Sequence, residues 1–177
     1  MSKQFKPHLA CDVDLTKLKF PVWGMRKIDG VRMLNVGGKA VGRSLKPHAN
    51  KFISEHFSKD MFLGFDGEVT YGNIRGDSLC RDTTSVLNRI SGEPNIEWHL
   101  FDWVHPDHID DLPYETRYLE LLAHQQANPK WFANNNISVI PYRVLNSIEE
   151  AEAFYQESLD LGFEGAIFRD PEAKHKS

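Results

Sequence analysis

Two cysteines, Cys11 and Cys80, are all the thiol chemistry in these 177 residues. They form neither a close-spaced metal pair nor a disulfide framework, and so read as reduced structural thiols. Long hydrophobic runs are also missing. No apolar stretch approaches the roughly 18 residues of a membrane span, and the start, MSKQFKPHLA, lacks the apolar centre of a signal peptide. These absences predict a cytoplasmic protein with no membrane partner. With 9 Pro and 12 Gly, and with no internal repeat or low-complexity tract, nothing marks a linker or a disordered segment. The 41% hydrophobic and 26% charged residues are those of an ordinary globular chain, long enough for one domain with a sizeable core.

Charge is scarce in net terms, at −4, but uneven along the chain. Residues 1–59 carry 12 Lys or Arg against 4 Asp or Glu, and residues 60–177 carry 9 against 21. A basic N-terminal third is what a polyphosphate or a nucleic-acid backbone favours, through direct attraction and counterion release. Lysines and arginines that merely solvate short strands would give the same count.

Periodicity predicts α+β structure with mainly antiparallel sheets. Residues 21–44 read as a meander of three strands, with hairpin turns at Asp29-Gly30 and Gly37-Gly38, dipeptides that supply positive φ. A short amphipathic helix started by Pro47 follows, carrying Phe52, Ile53 and Phe57. Next come a strand over 61–72, a helix around 81–90, and a strand over 95–104 in which Ile96, Trp98 and Leu100 alternate with Glu97, His99 and Phe101. A helix over 114–126 leads to one strand over 137–144. The last helix has a capping box, Ser147 with Glu150, and a terminator, Gly162, before a final strand over 165–169.

Three stretches carry candidate chemistry. RKIDGVR (26–32) gathers Arg26, Lys27 and Arg32 around one turn, which suits several phosphate oxygens. Repulsion among three cations would also favour the neutral, nucleophilic form of Lys27. A lysine on the shoulder of a turn can equally be a plain solvated charge. Glu68 in FDGEVTY and Glu164 in GFEGAIFR interrupt apolar strands beside glycines that allow close backbone approach. Their hard carboxylate oxygens are of the type Mg²⁺ takes alongside substrate phosphates.

Lys27-Ile-Asp-Gly-Val-Arg32 resembles the Lys-x-Asp-Gly-x-Arg nucleotidyl-transfer motif of ATP-dependent DNA ligases and mRNA capping enzymes. KPHLA (6–10) is similar to the Pro-x-Leu-Ala segment ahead of that motif in many ligases. GRS at Arg43, FDGEV at Glu68, LFDW at Phe101 and EGAIFR at Glu164 are similar to the later motifs, in family order, across residues 6–169. The resemblance implies a nucleotidyltransferase (ATP-grasp-like) domain of antiparallel sheets flanked by helices, with the nucleotide pocket between the sheets. It implies that Lys27 attacks the α-phosphate of ATP, holds AMP as a phosphoramidate, and passes it to the 5′-phosphate of a nick, where a 3′-hydroxyl then displaces it. Arg32 and Arg43 would contact the nucleotide ribose and the nick phosphate, Glu68 the ribose hydroxyl or a metal, Phe101 would stack on adenine, and Glu164 would help hold Mg²⁺. Roles in DNA replication, repair and recombination follow from that activity.

The pattern departs from the family at two points. Where many ligases place Glu two residues before the nucleophile to read adenine, this chain has Met25. The family also continues into a strand with a lysine pair that contacts the α-phosphate, and then into an OB-fold domain; residues 1–177 are expected to end before both, with Lys174 and Lys176 read as a basic tail rather than that pair. A shortened piece of a longer enzyme, a split ligase completed by a second chain, and a degenerate paralogue all accommodate this. The small phage or bacterial ligases are the nearest fit, with nicked duplex DNA as substrate and, for a phage protein, the host cytoplasm as location. An mRNA guanylyltransferase or RNA-end ligase, and a non-catalytic module that binds a nucleotide or nick, stand as alternatives.

Overall fold

The computed structural model describes residues 13–105 and 111–175. The KPHLA segment, Cys11 and Lys176 lie outside the described residues. The chain forms two compact units: residues up to Ile28 with Pro141–Ala173, and Asp29–Ile140 with the residues after Ala173.

The first unit is a three-stranded antiparallel sheet in the order β7-β1-β8, built from β1 (Val22–Lys27), β7 (Arg143–Leu145) and β8 (Gly165–Arg169). Helix α5 (Ile148–Asp160) covers it, and Leu15, Val22, Leu145, Ala151, Phe154, Tyr155 and Ala166 form the core. Gly24 makes this close packing feasible, because a Cβ there would stand 2.7 Å from Leu145 Cδ1 and 2.9 Å from the Phe154 ring. The predicted capping box is present in altered form. Ser147 Oγ accepts from the Glu150 N–H at 3.2 Å, while the Glu150 carboxylate reaches back to the N–H of Asn146 at 3.0 Å. Gly162 ends the helix at φ +92°.

The second unit is a five-stranded sheet in the order β3-β2-β4-β5-β6: β2 (Val31–Val36), β3 (Lys39–Val41), β4 (Phe65–Thr70), β5 (Glu97–Trp103) and β6 (Ile137–Val139). All its pairs are antiparallel except β5 with β6. That parallel pair is linked through α3 (Tyr114–Ala127) and α4 (Pro129–Asn134), as a crossover connection requires. Helices α1 (Lys51–Phe57) and α2 (Leu79–Leu87) complete the unit. Its apolar core is aromatic, with Phe57, Phe62, Phe65 and Trp98 meeting at ring-centroid separations of 5.3–6.3 Å.

Four sequence expectations change here. The Gly37-Gly38 hairpin is present at φ +60° and +87°, but Asp29-Gly30 is not a hairpin turn, since β1 belongs to the three-stranded sheet and β2 to the five-stranded one. Gly30 lies outside the positive-φ residues; what it avoids is a Cβ 2.3 Å from the Val69 carbonyl oxygen. The single strand over 137–144 is two strands in two sheets, parted around Pro141, which has no N–H to continue a ladder. Helix α1 begins at Asn50, whose Oδ1 accepts from the Ile53 N–H at 2.9 Å, not at Pro47. Finally, β5 does not alternate between core and solvent: Trp98 through Asp102 are all buried.

Candidate active site

Lys27 is the last residue of β1, opposite Gly165 of β8. Its Nζ lies 3.2 Å from Glu164 Oε1, each side chain about one-third exposed at 33% and 36%, and its carbonyl accepts from the Glu164 N–H at 3.2 Å. The period of two that places Lys27 on one face of β1 turns Arg26 to the other. There the Arg26 guanidinium lies 4.3 Å over the Phe154 ring, donates to Ser158 Oγ at 2.7 Å, and pairs with Glu157. Arg143 holds the same Glu157 carboxylate at 2.9 Å. Bonds from Arg143 and Arg26 draw that carboxyl down to about 2. The expected cluster of three cations around the turn is therefore absent: Arg26 is occupied by α5, and the group paired with Lys27 is an anion. Met25 shares a face with Lys27 but is 1% exposed, a core side chain.

In the second unit, strand register sets four polar residues in a row across the sheet: Arg32, Glu68, His99 and Ser138. Arg32 makes a two-pronged bond to Asp66, Nε to Oδ1 and Nη2 to Oδ2, both 2.6 Å. This bond raises the Arg32 pKa against the opposing effect of burial. Burial pushes the Glu68 carboxyl up to about 7, although the charges of Arg32 and Arg43 and a hydrogen bond from the Gly30 backbone act against it. His99 Nε2 lies 2.9 Å from Thr70 Oγ1, and Nδ1 lies 3.5 Å from Ser138 Oγ. Burial favours the neutral ring. Arg43 is exposed on the turn after β3, where the Gly42 N–H donates to the Lys46 carbonyl and Leu45 takes φ +64°.

Phe101 has a special backbone position. Asp66 pairs with Asp102 and Gly67 with Leu100, so the register steps over Phe101, an extra residue in β5 that makes a β-bulge. Bulges bend a strand and re-aim a side chain. The Phe101 ring, 8% exposed, lies with its centroid 5.2 Å from the Arg32 guanidinium carbon. Gly67 is required at the bulge, because a Cβ there would sit 2.0 Å from the His99 carbonyl oxygen.

The second unit thus brings together Arg32, Glu68 and Phe101, with Arg43 near enough to act on Glu68 electrostatically, and the first brings together Lys27 and Glu164. Sequence reading missed Asp66 and His99. Asp66 fell inside the strand over 61–72 with no role of its own, and His99 stood in an alternation opposite Trp98 and Leu100. Among the described residues no group of three or more His, Cys, Asp or Glu converges on one point, and no helix is long and apolar enough to cross a membrane.

No protein-family profile and no curated protein sequence matches the chain. Solved structures do. A structure of Chlorella virus DNA ligase-adenylate aligns with a TM-score of 0.78 at 23% identity, covering 92% of this chain and 58% of that one. A Lig E DNA ligase aligns at 0.67 and 18%, covering 94% and 60%. The ATP-dependent DNA ligase of bacteriophage T7, in complex with ATP, aligns at 0.63 and 15%, covering 89% and 60%. The chain spans less than two thirds of each of these proteins. Mixed α and β structure, antiparallel sheets and flanking helices agree with them throughout, and the chain therefore has the fold of the nucleotidyltransferase domain of DNA ligases.

Proposed function

We propose that the 177 residues are the adenylation domain of an ATP-dependent DNA ligase, which with an OB-fold domain or second chain seals nicks in duplex DNA. The observation that supports this most is Lys27 in a Lys-x-Asp-Gly-x-Arg hexamer, 3.2 Å from Glu164, in a fold shared with a DNA ligase-adenylate. In the first step Nζ parts from Glu164, gives a proton to solvent and attacks the α-phosphorus of ATP with the freed electron pair. An N–P bond forms, the bond to the bridging oxygen breaks, and pyrophosphate departs with the electron pair. A 5′-phosphate oxygen then takes the adenylyl group and returns the amine to Lys27. Finally a 3′-hydroxyl oxygen attacks the 5′-phosphorus and AMP leaves.

The other residues serve this chemistry through charge and position. Arg32, already aligned by Asp66, binds the ribose, and exposed Arg43 meets the nick phosphate. Phe101 offers a ring for the adenine, and Met25 leaves base recognition to that ring and to backbone groups. Glu68 and Glu164 would each offer the hard carboxylate oxygens that Mg²⁺ takes alongside substrate phosphates. When bound, Mg²⁺ supplies positive charge to the triphosphate oxygens. The setting is cytoplasmic DNA replication, repair or recombination.

Incubation with ATP and Mg²⁺ tests the proposal by mass spectrometry. The expected result is a mass gain of one AMP that Lys27→Ala abolishes. An adduct that survives in the variant overturns the assignment, an adduct formed from GTP instead identifies a guanylyltransferase, and no adduct even with a supplied OB-fold domain identifies a non-catalytic module.

A further inference from the structure

The bulge at Phe101 steps out of the β4 register at a buried residue. A buried carbonyl needs a donor, and here the donor is a side chain: Tyr114 Oη bonds the Phe101 carbonyl at 2.5 Å. One turn along α3, Arg117 grips the next residue of the bulge, with Nε 2.9 Å from Asp102 Oδ1 and Nη2 3.1 Å from Oδ2. Its remaining nitrogen, Nη1, donates to the Leu112 carbonyl at 2.8 Å, the guanidinium carbon lies 5.5 Å from the centroid of the Tyr114 ring, and Asp102 Oδ1 also accepts from the Trp103 N–H at 2.8 Å. Tyr114, Arg117 and Asp102 are 3%, 5% and 6% exposed. A buried, bidentate ion pair and a buried phenol therefore converge on two adjacent residues of one irregular strand.

We propose that Tyr114 and Arg117 are positioning residues: from the first turn of α3 they fix the β5 bulge, and so the angle at which the Phe101 ring meets a nucleotide base. This rests on the reading of Phe101 as the stacking ring. A regular β5 would need no such donor. It would also shift every side chain beyond the bulge, from Asp102 onward, to the opposite face, taking Asp102 out of its register with Asp66. The arrangement supplies specificity of placement, with Tyr114 acting on the bulge residue itself and Arg117 on the residue that ends it.

Two measurements on the 177-residue chain test this: the Phe101 ring resonances in the ligand-free protein by NMR, and ATP affinity by calorimetry without added metal. Tyr114→Phe, which keeps the ring and removes only the hydroxyl, is expected to move the Phe101 resonances and to weaken ATP by about three- to tenfold. Combined with Phe101→Ala it should cause no loss beyond that of Phe101→Ala alone. Arg117→Lys, which keeps the charge and loses the fork, should act in the same direction and serves if the first variant folds poorly. Unmoved Phe101 resonances, or ATP losses that add fully in the double variant, overturn the proposal. A wild-type chain that fails to bind ATP overturns the nucleotide reading instead, and the positioning roles then stand or fall on the resonances.

Discussion

Glu68 is half-buried, and its carboxyl, with an ordinary pKa of 4.5, rises to about 7, with desolvation the main cause. The folded state therefore holds the proton more tightly than the unfolded state. Stability from this group is greatest below the unfolded value and is lost as pH rises through the folded one. Glu68→Gln, which carries no charge to bury, should match the wild type near pH 4.5 and exceed it above pH 7 by up to about 3 kcal/mol. Urea unfolding at pH 5 and pH 8 measures this, and an advantage that does not grow with pH would contradict it. Phe101 gives a second test at the same scale. If its ring stacks on the base, Phe101→Ala should weaken ATP binding by about 1 to 3 kcal/mol, and an unchanged affinity would leave the ring a core residue. Glu68 and Glu164 were legible as candidates because each interrupts an apolar strand beside glycine, and Lys27 because it stands between Arg26 and Arg32 at a turn. Asp66, the partner that aligns Arg32, was not, because strand order decides which carboxylate lies beside which guanidinium.

At the scale of elements, Asn50 joins three segments. It caps α1 through Ile53, and its Nδ2 donates to the carbonyls of Arg89, Ser91 and Gly92 at 2.9, 3.3 and 3.2 Å. It is 0% exposed, so Asn50→Ala would leave a buried N–H without its acceptor and three carbonyls without a donor. The expected cost is about 2 to 4 kcal/mol, the sum of a lost cap and buried unpaired groups, to be read from thermal and denaturant unfolding. The helices over 114–127 and 148–160 were legible from apolar spacing and caps, and the Gly37-Gly38 hairpin from its dipeptide. Asp29-Gly30 has the same local signature and a different outcome. A dipeptide can permit a tight turn, but only the pairing of distant strands fixes whether its neighbours share a sheet. The β5 bulge was hidden for a related reason, since one extra residue looks like ordinary alternation until the facing strand is present to count against.

For the molecule as a whole, the net charge of −4 conceals a basic N-terminal third. If the chain engages nicked duplex DNA, the interaction should be led by phosphate contacts, so affinity should fall steeply with salt. A loss on the order of tenfold or more between 50 and 200 mM is expected if several phosphates are contacted. Arg43→Ala should reduce both the affinity and the slope of log K against log salt, by about one contact. Fluorescence anisotropy with nicked and intact duplexes reads this, and an affinity indifferent to salt would remove the electrostatic reading of the N-terminal third.

The sequence by itself determined the class of structure, most of the strands and helices, and the ordered residues from Lys27 to Glu164 that carry the proposed chemistry. Those properties follow from side-chain period, caps and motif order, all of which act over a few neighbouring residues. Only the tertiary structure decided that Lys27 is paired with Glu164 rather than crowded by Arg26. It also decided that Arg32 is aligned by Asp66, that Glu68 is desolvated, and that a bulge held from α3 sets Phe101. Each of these depends on burial and on cross-strand register, which arise from contacts between residues far apart in the chain.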